Sequence, residues 1–241
     1  MKLKILCHLS SDEFPIDYRR KIMMLIKKGM KKEYPTFFSD LYEQNTQKNY
    51  TFSVYLNQPS FEKKAIKIRD KKCTINFSTG EAELAIIFYN IFTSLKNEAI
   101  KIDESVELKI HSVEVIPTRK IETNIITCRT LSPIVIRDHN QTTQKDWFYT
   151  LEDDEAMAIL KRNMKTKLSK MHYGESIEEE IEDMQIQQIK FKKTVVKFYK
   201  MQLAASLGEF EIKASPRLLN VIIQNGLGTM TGSGFGMIEQ L

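Results

Sequence analysis

The sequence lacks any apolar run long enough to cross a membrane, because runs such as Ala85 to Tyr89 fall far short of about 20 residues. Its first residues have no apolar segment followed by a small-residue cleavage site, as a signal peptide would have. Cysteine is scarce, and Cys7, Cys73 and Cys128 are isolated, odd in number and without CxxC spacing. We therefore expect no membrane segment, no disulfide framework and no zinc site, and a location in a reducing cytoplasm.

The charge is unevenly distributed along the 241 residues, although the net charge is only +5. Residues 18–32 contain seven basic side chains and no acid, residues 190–200 contain five lysines and no acid, and residues 175–183 contain six acids. A polyanion would be attracted to the two basic segments. Each segment taken alone is equally compatible with a solvated face of a helix or strand.

The hydrophobic patterning indicates the same order of elements in each half of the chain. The first half predicts strands at 2–8, 50–56, 72–77 and 106–116, an amphipathic helix after Pro15 with a short helix at 37–42, and a helix at 82–95. The second half predicts strands at 125–136, 189–198, 202–214 and 235–240, a helix at 151–171 with Glu152, Asp153 and Asp154 in its first turn, and a helix from Ser215 to Asn225.

The order β-α-β-β-α-β, read twice, predicts an α+β fold of two tandem ferredoxin-like (RRM-like) domains with antiparallel sheets. We expect the domains to span residues 1–118 and 119–241, with the boundary near Pro117 to Lys120.

Glycine is concentrated near the end of the chain, where five of the nine glycines lie within eleven residues: Gly226, Gly228, Gly232, Gly234 and Gly236. Glycine adopts positive φ freely and lets backbone amides approach a polyanion closely. The segment is neither a Walker A loop, since no GK[ST] follows, nor a dinucleotide fingerprint, which follows a strand and opens a helix. A binding loop anchored between a helix and a strand is the interpretation we favour over a flexible turn.

The motif Gly226-Leu227-Gly228, a spacer and Gly234-Phe235-Gly236 resembles the C-terminal glycine-rich loop of the RAMP superfamily. In this form it is similar to the CRISPR repeat-processing endoribonucleases, the Cas-six family, and residues 129–134 resemble the start of that family's second domain. The resemblance implies a protein that binds CRISPR repeat RNA and cleaves it without a metal or cofactor. The 2′-hydroxyl attacks the adjacent phosphate and leaves a cyclic phosphate and a 5′-hydroxyl. We expect a monomer or homodimer, with other Cas proteins of an effector complex as further partners.

This reaction needs a base for the 2′-hydroxyl, an acid for the leaving oxygen and positive charge for the phosphorane. In much of the family a histidine after the first helix moves the proton, but residues 19–30 and 37–48 contain none. The corresponding position falls at about Tyr42, with Lys48 downstream and Lys27 on the helix. Tyrosine and lysine have ordinary pKa values near 10, so they would act mainly as acid or electrostatic clamp unless their pKa were lowered. His8, at the end of the first strand, is the fourth catalytic candidate.

The candidates for binding RNA are the glycines of the C-terminal loop together with Arg19, Arg20 and Lys31 of the basic helix. Trp147 could stack on a base, but a core position is the commoner one for such a residue. Two alternatives stay open: a non-cleaving protein that holds repeat RNA or is a structural subunit of a crRNA-guided complex, and an unrelated two-domain protein that binds a small ligand.

Overall fold

The chain divides into two compact units, Met1–Thr118 and Arg119–Leu241, each with its own hydrophobic core. The computed structural model describes residues 1–43, 48–63, 65–171 and 176–241. Within those ranges, no helix combines the length and the apolar composition that crossing a bilayer requires.

The elements of the first unit are, in chain order, β1 (Lys2–Leu9), β2 (Glu13–Pro15), α1 (Tyr18–Glu33), α2 (Pro35–Tyr42), β3 (Tyr50–Leu56), β4 (Ser60–Phe61), β5 (Ala65–Lys67), β6 (Lys72–Thr79), α3 (Ala82–Ser94), β7 (Ala99–Lys101) and β8 (Glu107–Ile116). The unit is built on one five-stranded sheet with the strand order β3-β6-β1-β8-β7, in which all neighbours are antiparallel. The short strands β2, β5 and β4 form a separate small sheet.

Alternation along the strands gives the first sheet one face in the core and one open face. In β1, Leu3, Ile5, Cys7 and Leu9 are buried, whereas the residues between them point away from the core. Helices α1 and α3 cover the buried face. Gly29 of α1 allows the two helices to approach closely, since a Cβ there would lie 2.6 Å from Ile91 of α3.

The second unit has the sheet order β12-β13-β9-β14, and the hairpin β10-β11 stands as a separate two-stranded sheet. Its elements are β9 (Ile125–Thr130), β10 (Ile136–Asn140), β11 (Lys145–Tyr149), α4 (Ala156–Leu168), α5 (Ser176–Asp183), β12 (Gln185–Phe198), β13 (Met201–Lys213), α6 (Pro216–Asn225) and β14 (Ile238–Gln240). When the four strands of the β-α-β-β-α-β pattern are numbered within each unit, both sheets have the order 4-1-3-2, and β7 is an additional edge strand of the first sheet. This confirms two tandem ferredoxin-like folds.

Several boundaries differ from those that the sequence predicts. Helix α4 begins at Ala156 rather than at 151, because the acids before it form a turn in which Thr150 donates its backbone N–H and its hydroxyl to Asp153. The acidic segment contains α5, an unpredicted helix whose Ile177 and Ile181 are buried. The last strand begins at Ile238 rather than 235. His172 follows the helix predicted at 151–171, and its position in the sequence favours a role as the cap of that helix. It lies outside the described residues.

Candidate functional site

Three of the four residues predicted to be catalytic lie together in the first unit. Tyr42 ends α2, and its hydroxyl oxygen lies 2.8 Å from that of Tyr50 at the start of β3. The Lys27 ammonium lies 4.6 Å from the centroid of the Tyr42 ring, and the Lys48 ammonium lies 5.2 Å from it. Asn49, next to Lys48, is held in place because its side chain donates to Glu81 at 2.6 Å. We call Lys27, Tyr42, Lys48 and Tyr50 the tyrosine cluster.

Burial decides the protonation states within the tyrosine cluster. It raises the pKa of Tyr42, and the hydrogen bond with Tyr50 opposes that rise only in part. Burial raises the pKa of the fully buried Tyr50 even further. Burial also lowers the pKa of Lys48, and the positive charge of Lys27 lowers it in the same direction. Tyr42 therefore keeps its proton at neutral pH and can donate a hydrogen bond or a proton, but it cannot serve as the base.

His8 does not join the tyrosine cluster. It lies on the open face of the first sheet, whereas Tyr50 packs in the core against Phe88. It is also at the opposite end of the strands: His8 pairs with Lys72, while Tyr50 pairs with Thr79 at the other end of β6. Seven residues of strand correspond to about 20 Å or more. The alternation of side chains along a strand places His8 on the other face of the sheet, and the length of the strands places it at the other end. His8 is therefore separated from the three other residues predicted to be catalytic.

The basic helix α1 is less free to bind an anion than its sequence indicates. Acids of the first unit form ion pairs with four of its seven basic side chains: Arg20 with Asp17, Lys21 with Asp103, Lys28 with Glu98 and Lys32 with Glu33. Arg19 lies over the Tyr18 ring at 4.7 Å. Lys31 is exposed and forms no ion pair with any described residue. Of the predicted RNA-binding side chains, Lys31 is thus the one with an unpaired charge.

The glycine loop, Gly226–Gly236, is a packed structure in the second unit. Four of its five glycines have positive φ: Gly226, Gly228, Gly234 and Gly236. A Cβ on Gly228 would lie 2.6 Å from the Val135 carbonyl oxygen, and one on Gly236 would lie 2.0 Å from the Leu227 carbonyl oxygen. The loop's own packing therefore requires glycine at these two positions. Gly232 has no positive φ and lies in a 3-10 turn, Thr231–Ser233, where alanine fits the backbone.

A buried lysine forms hydrogen bonds with the glycine loop and with the residue that precedes it. Lys167 of α4 donates from Nζ to the Asn225 carbonyl oxygen at 3.4 Å and to the Thr231 hydroxyl at 3.3 Å. Burial lowers the pKa of Lys167 to about 8. Nothing in the sequence distinguishes this lysine from the others on α4, since its partners are about 60 residues away.

Residues 230–232 of the glycine loop contain backbone donors without a partner among the described residues. Met230 has left-handed φ and ψ of 59° and 26° and is followed by the right-handed 3-10 turn. The N–H groups of Met230, Thr231 and Gly232 donate to no other described residue. Successive N–H groups in such a left-right arrangement form a concave nest that favours anions. The sequence motif indicates this loop, but the residues that form the nest include Met230, which the motif does not mark.

Two further observations concern the predicted interface. The core position that we favoured for Trp147 is wrong, since its side chain is 67% exposed on β11. Among the described residues, no group of three or more His, Cys, Asp or Glu side chains is placed to hold a metal ion.

Comparison with known families identifies the second half of the chain. The model for the C-terminal region of CRISPR associated protein Cas6 matches residues 116–240, which is more than half of the chain. The chain belongs to the Cas6 family. The match contains the whole glycine loop and the sheet that holds it.

Solved structures of Cas6 and RAMP proteins share the fold over the full length of the chain. A Cas6-related protein from Pyrococcus furiosus has a TM-score of 0.85 at 21% identity and is covered to 98%. A RAMP protein binding different RNA substrates has a TM-score of 0.84 at 20% identity and is covered to 99%. A Cas6 product complex has a TM-score of 0.76 at 15% identity and is covered to 100%. Each comparison covers 100% of this chain. No curated protein sequence matches it.

Proposed function

We propose that this Cas6-family chain binds CRISPR repeat RNA and cleaves it by attack of a 2′-hydroxyl on the adjacent phosphate, without a metal ion. The products are a cyclic phosphate and a 5′-hydroxyl. The observation that carries the proposal is the glycine loop, which lies within the family-matched region and contains three successive backbone N–H groups that donate to no described residue, so that a phosphate can accept from them. Among the similar structures, a RAMP protein that binds different RNA substrates and a Cas6 product complex support the same proposal.

The tyrosine cluster supplies two of the three catalytic requirements. Tyr42 retains its proton, so it can protonate the leaving 5′-oxygen. Lys27 and Lys48, both over the Tyr42 ring, place positive charge where a phosphorane could form. Lys48 is the one member whose lowered pKa moves it toward acting as the base. Because the cluster contains no histidine, the residue whose ordinary pKa suits proton transfer at neutral pH, we expect it to cleave slowly.

A second candidate function is storage or presentation of repeat RNA without cleavage. The specific observation that favours it is the raised pKa of Tyr42 at the position where the family's histidine is expected. In this case the tyrosine cluster would be an RNA contact rather than a catalytic site. Other Cas proteins would then act on the RNA or assemble with it.

Incubation of the protein with repeat RNA in EDTA separates the two functions. Cleavage in EDTA to a cyclic phosphate and a 5′-hydroxyl, abolished when every 2′-hydroxyl of the repeat is replaced by 2′-deoxy, supports the first. Tight binding without product over a wide pH range supports the second. A protein that binds repeat RNA no better than an unrelated RNA of equal length contradicts both.

A further inference from the structure

Over their paired length, β8 contains one residue more than β1, and the extra residue at this bulge is a histidine. Leu6 pairs with Ser112 and Cys7 pairs with Ile110, so His111 has no partner in β1. In an unbroken strand, residues 111 and 112 would point to opposite faces. Because of the bulge, both lie on the open face of the first sheet, away from α1 and α3. Bulges of this kind commonly re-aim a side chain toward a site.

The ring of His111 stacks on that of His8. The two ring centroids lie 4.8 Å apart, and the ring planes are inclined by only 9°. Both side chains are exposed. Tyr55 of β3 lies on the same open face and is 60% exposed. It pairs with Thr74 of β6, which in turn pairs with Leu6 of β1. The open face therefore presents a parallel pair of rings and a third aromatic residue, which lies two strand spacings across the sheet and two residues along it from His8, or about 12 Å.

The surroundings of the histidine pair are positive. His8 lies between Lys72 of β6 and Lys109 of β8 in direct cross-strand register, and both lysines are exposed. Neither lysine forms an ion pair with a described residue. Burial lowers the pKa of His8, and His111, Lys72 and Lys109 lower it in the same direction.

A metal ion is a poor fit to this surface, because no third ligand stands beside the two histidines in the described residues. An acidic peptide would satisfy the lysines but would make no use of flat, parallel, exposed rings. Single-stranded RNA uses both features, since its bases stack on aromatic and imidazole rings and its phosphates pair with lysines.

We infer that the open face of the first sheet binds a single-stranded segment of RNA, with bases stacked on the His8–His111 pair and on Tyr55 and with phosphates against Lys72 and Lys109. This surface shares no residue with the tyrosine cluster or with the glycine loop, which belongs to the second unit. The inference rests on the proposed function in one respect, namely that the protein binds RNA.

The test compares binding of repeat RNA and of an unstructured oligoadenylate of about six nucleotides. In the double variant H8A/H111A, removal of stacking should weaken oligoadenylate binding about 5- to 150-fold with little change in salt dependence. In K72M/K109M, the logarithmic salt slope should flatten by about 0.7 for each phosphate that a lysine no longer neutralises. The double variant H8F/H111F, which keeps the rings and removes their titration, should retain most of the affinity. His139→Ala, an exposed histidine on β10, is the matched control.

The chain has only four histidines, so their ring signals can be followed individually by NMR in the wild-type protein. We expect oligoadenylate to shift the signals of His8 and His111 and to leave that of His139 in place. Unchanged affinity in H8A/H111A, with unmoved ring signals, overturns the inference and leaves a protein partner as the ligand of this face. Wild-type protein that binds no RNA at all contradicts the proposed function, and the inference with it.

Discussion

In the first unit, the chain passes from α3 to β8 through β7, an ordinary edge strand. In the second unit, the corresponding connection from α6 to β14 is the glycine loop. In our proposal, the chemistry of the first unit lies in side chains gathered around Tyr42. That of the second unit lies in backbone N–H groups of a packed loop, which donate to no described residue. The two sheets have the same strand order, so the difference lies in the connections. The shared topology provides a rigid support, and the connecting segments carry what is particular to each unit.

The largest effect should come from filling the loop of the second unit. Gly236→Ala places a Cβ against the Leu227 carbonyl oxygen at a φ of +68°, which combines a backbone clash with a left-handed conformation. We expect a loss of more than about 3 kcal/mol in the free energy of unfolding, measured by urea denaturation. Gly232→Ala, in the 3-10 turn, should change stability by less than about 1 kcal/mol. Equal losses in the two variants would show that the loop is not packed as described.

The next largest effect concerns the side chains of the first unit. If Tyr42 is the proton donor, Tyr42→Phe should slow single-turnover cleavage about 10²- to 10³-fold. Tyr50→Phe is the matched control, since it removes the same 2.8 Å hydrogen bond but keeps the Tyr42 hydroxyl. Its rate should stay close to that of the wild type. Tyr42→Phe should also cost more stability, because it leaves the buried Tyr50 hydroxyl without its partner. Equal slowing by both variants would reduce Tyr42 to a structural role.

A pH-dependent effect of about 3 kcal/mol is expected in the second unit. Lys167 has a folded pKa of about 8, below its ordinary value of 10.5. Below pH 8 it is charged in both states, and charging it while buried destabilises the fold. Between pH 8 and 10.5 the unfolded chain binds more protons than the folded one, so stability rises with pH in that window. Lys167→Met should be more stable than the wild type at pH 7, and the difference should shrink toward pH 10.5. A constant difference in urea titrations would contradict this assignment.

The smallest effect should separate two lysines on α1. Lys31 forms no ion pair with a described residue, whereas Lys28 pairs with Glu98. Lys31→Met should reduce the salt slope of RNA binding by about 0.7 to 0.9, as expected when one phosphate is no longer neutralised. Lys28→Met should change it less, because the charge of Lys28 is already compensated. Equal changes of the salt slope in the two variants would indicate that RNA displaces Glu98 from Lys28, or that neither lysine contacts the RNA.

The sequence predicts most of the fold because its patterns are local. Alternation in β1 and β3 and the cap at Ser215, whose side chain accepts from the Leu218 N–H, follow from neighbouring residues alone. The turn before α4 was missed because Asp153 bonds to Thr150, an alternative to the helix start that the run of acids favoured. The sequence does not predict the short strands β2, β4 and β5, because two or three residues are too few to show an alternation of apolar and polar side chains.

The candidate site is less predictable, since its contacts join distant residues. Tyr42, Lys48 and Lys27 were chosen by resemblance and lie together, but the ion pairs of α1 use Asp103 and Glu98, about 70 to 80 residues away in sequence. The stacking of His111 on His8 joins two residues about 100 positions apart, which no residue pattern marks. Residue types therefore predict which side chains are candidates for a site, whereas long-range contacts in the folded chain decide which of those side chains lie together.

The three cysteines give the protein a built-in set of reporters. Cys7 and Cys73 face each other across β1 and β6 in the core of the first unit, and Cys128 is buried in that of the second. A thiol reagent can reach them only when the surrounding core opens. The rate of labelling at Cys7 and Cys73 therefore measures how often the first unit opens, and labelling at Cys128 measures the same for the second. One experiment on the unmodified chain gives two separate opening free energies.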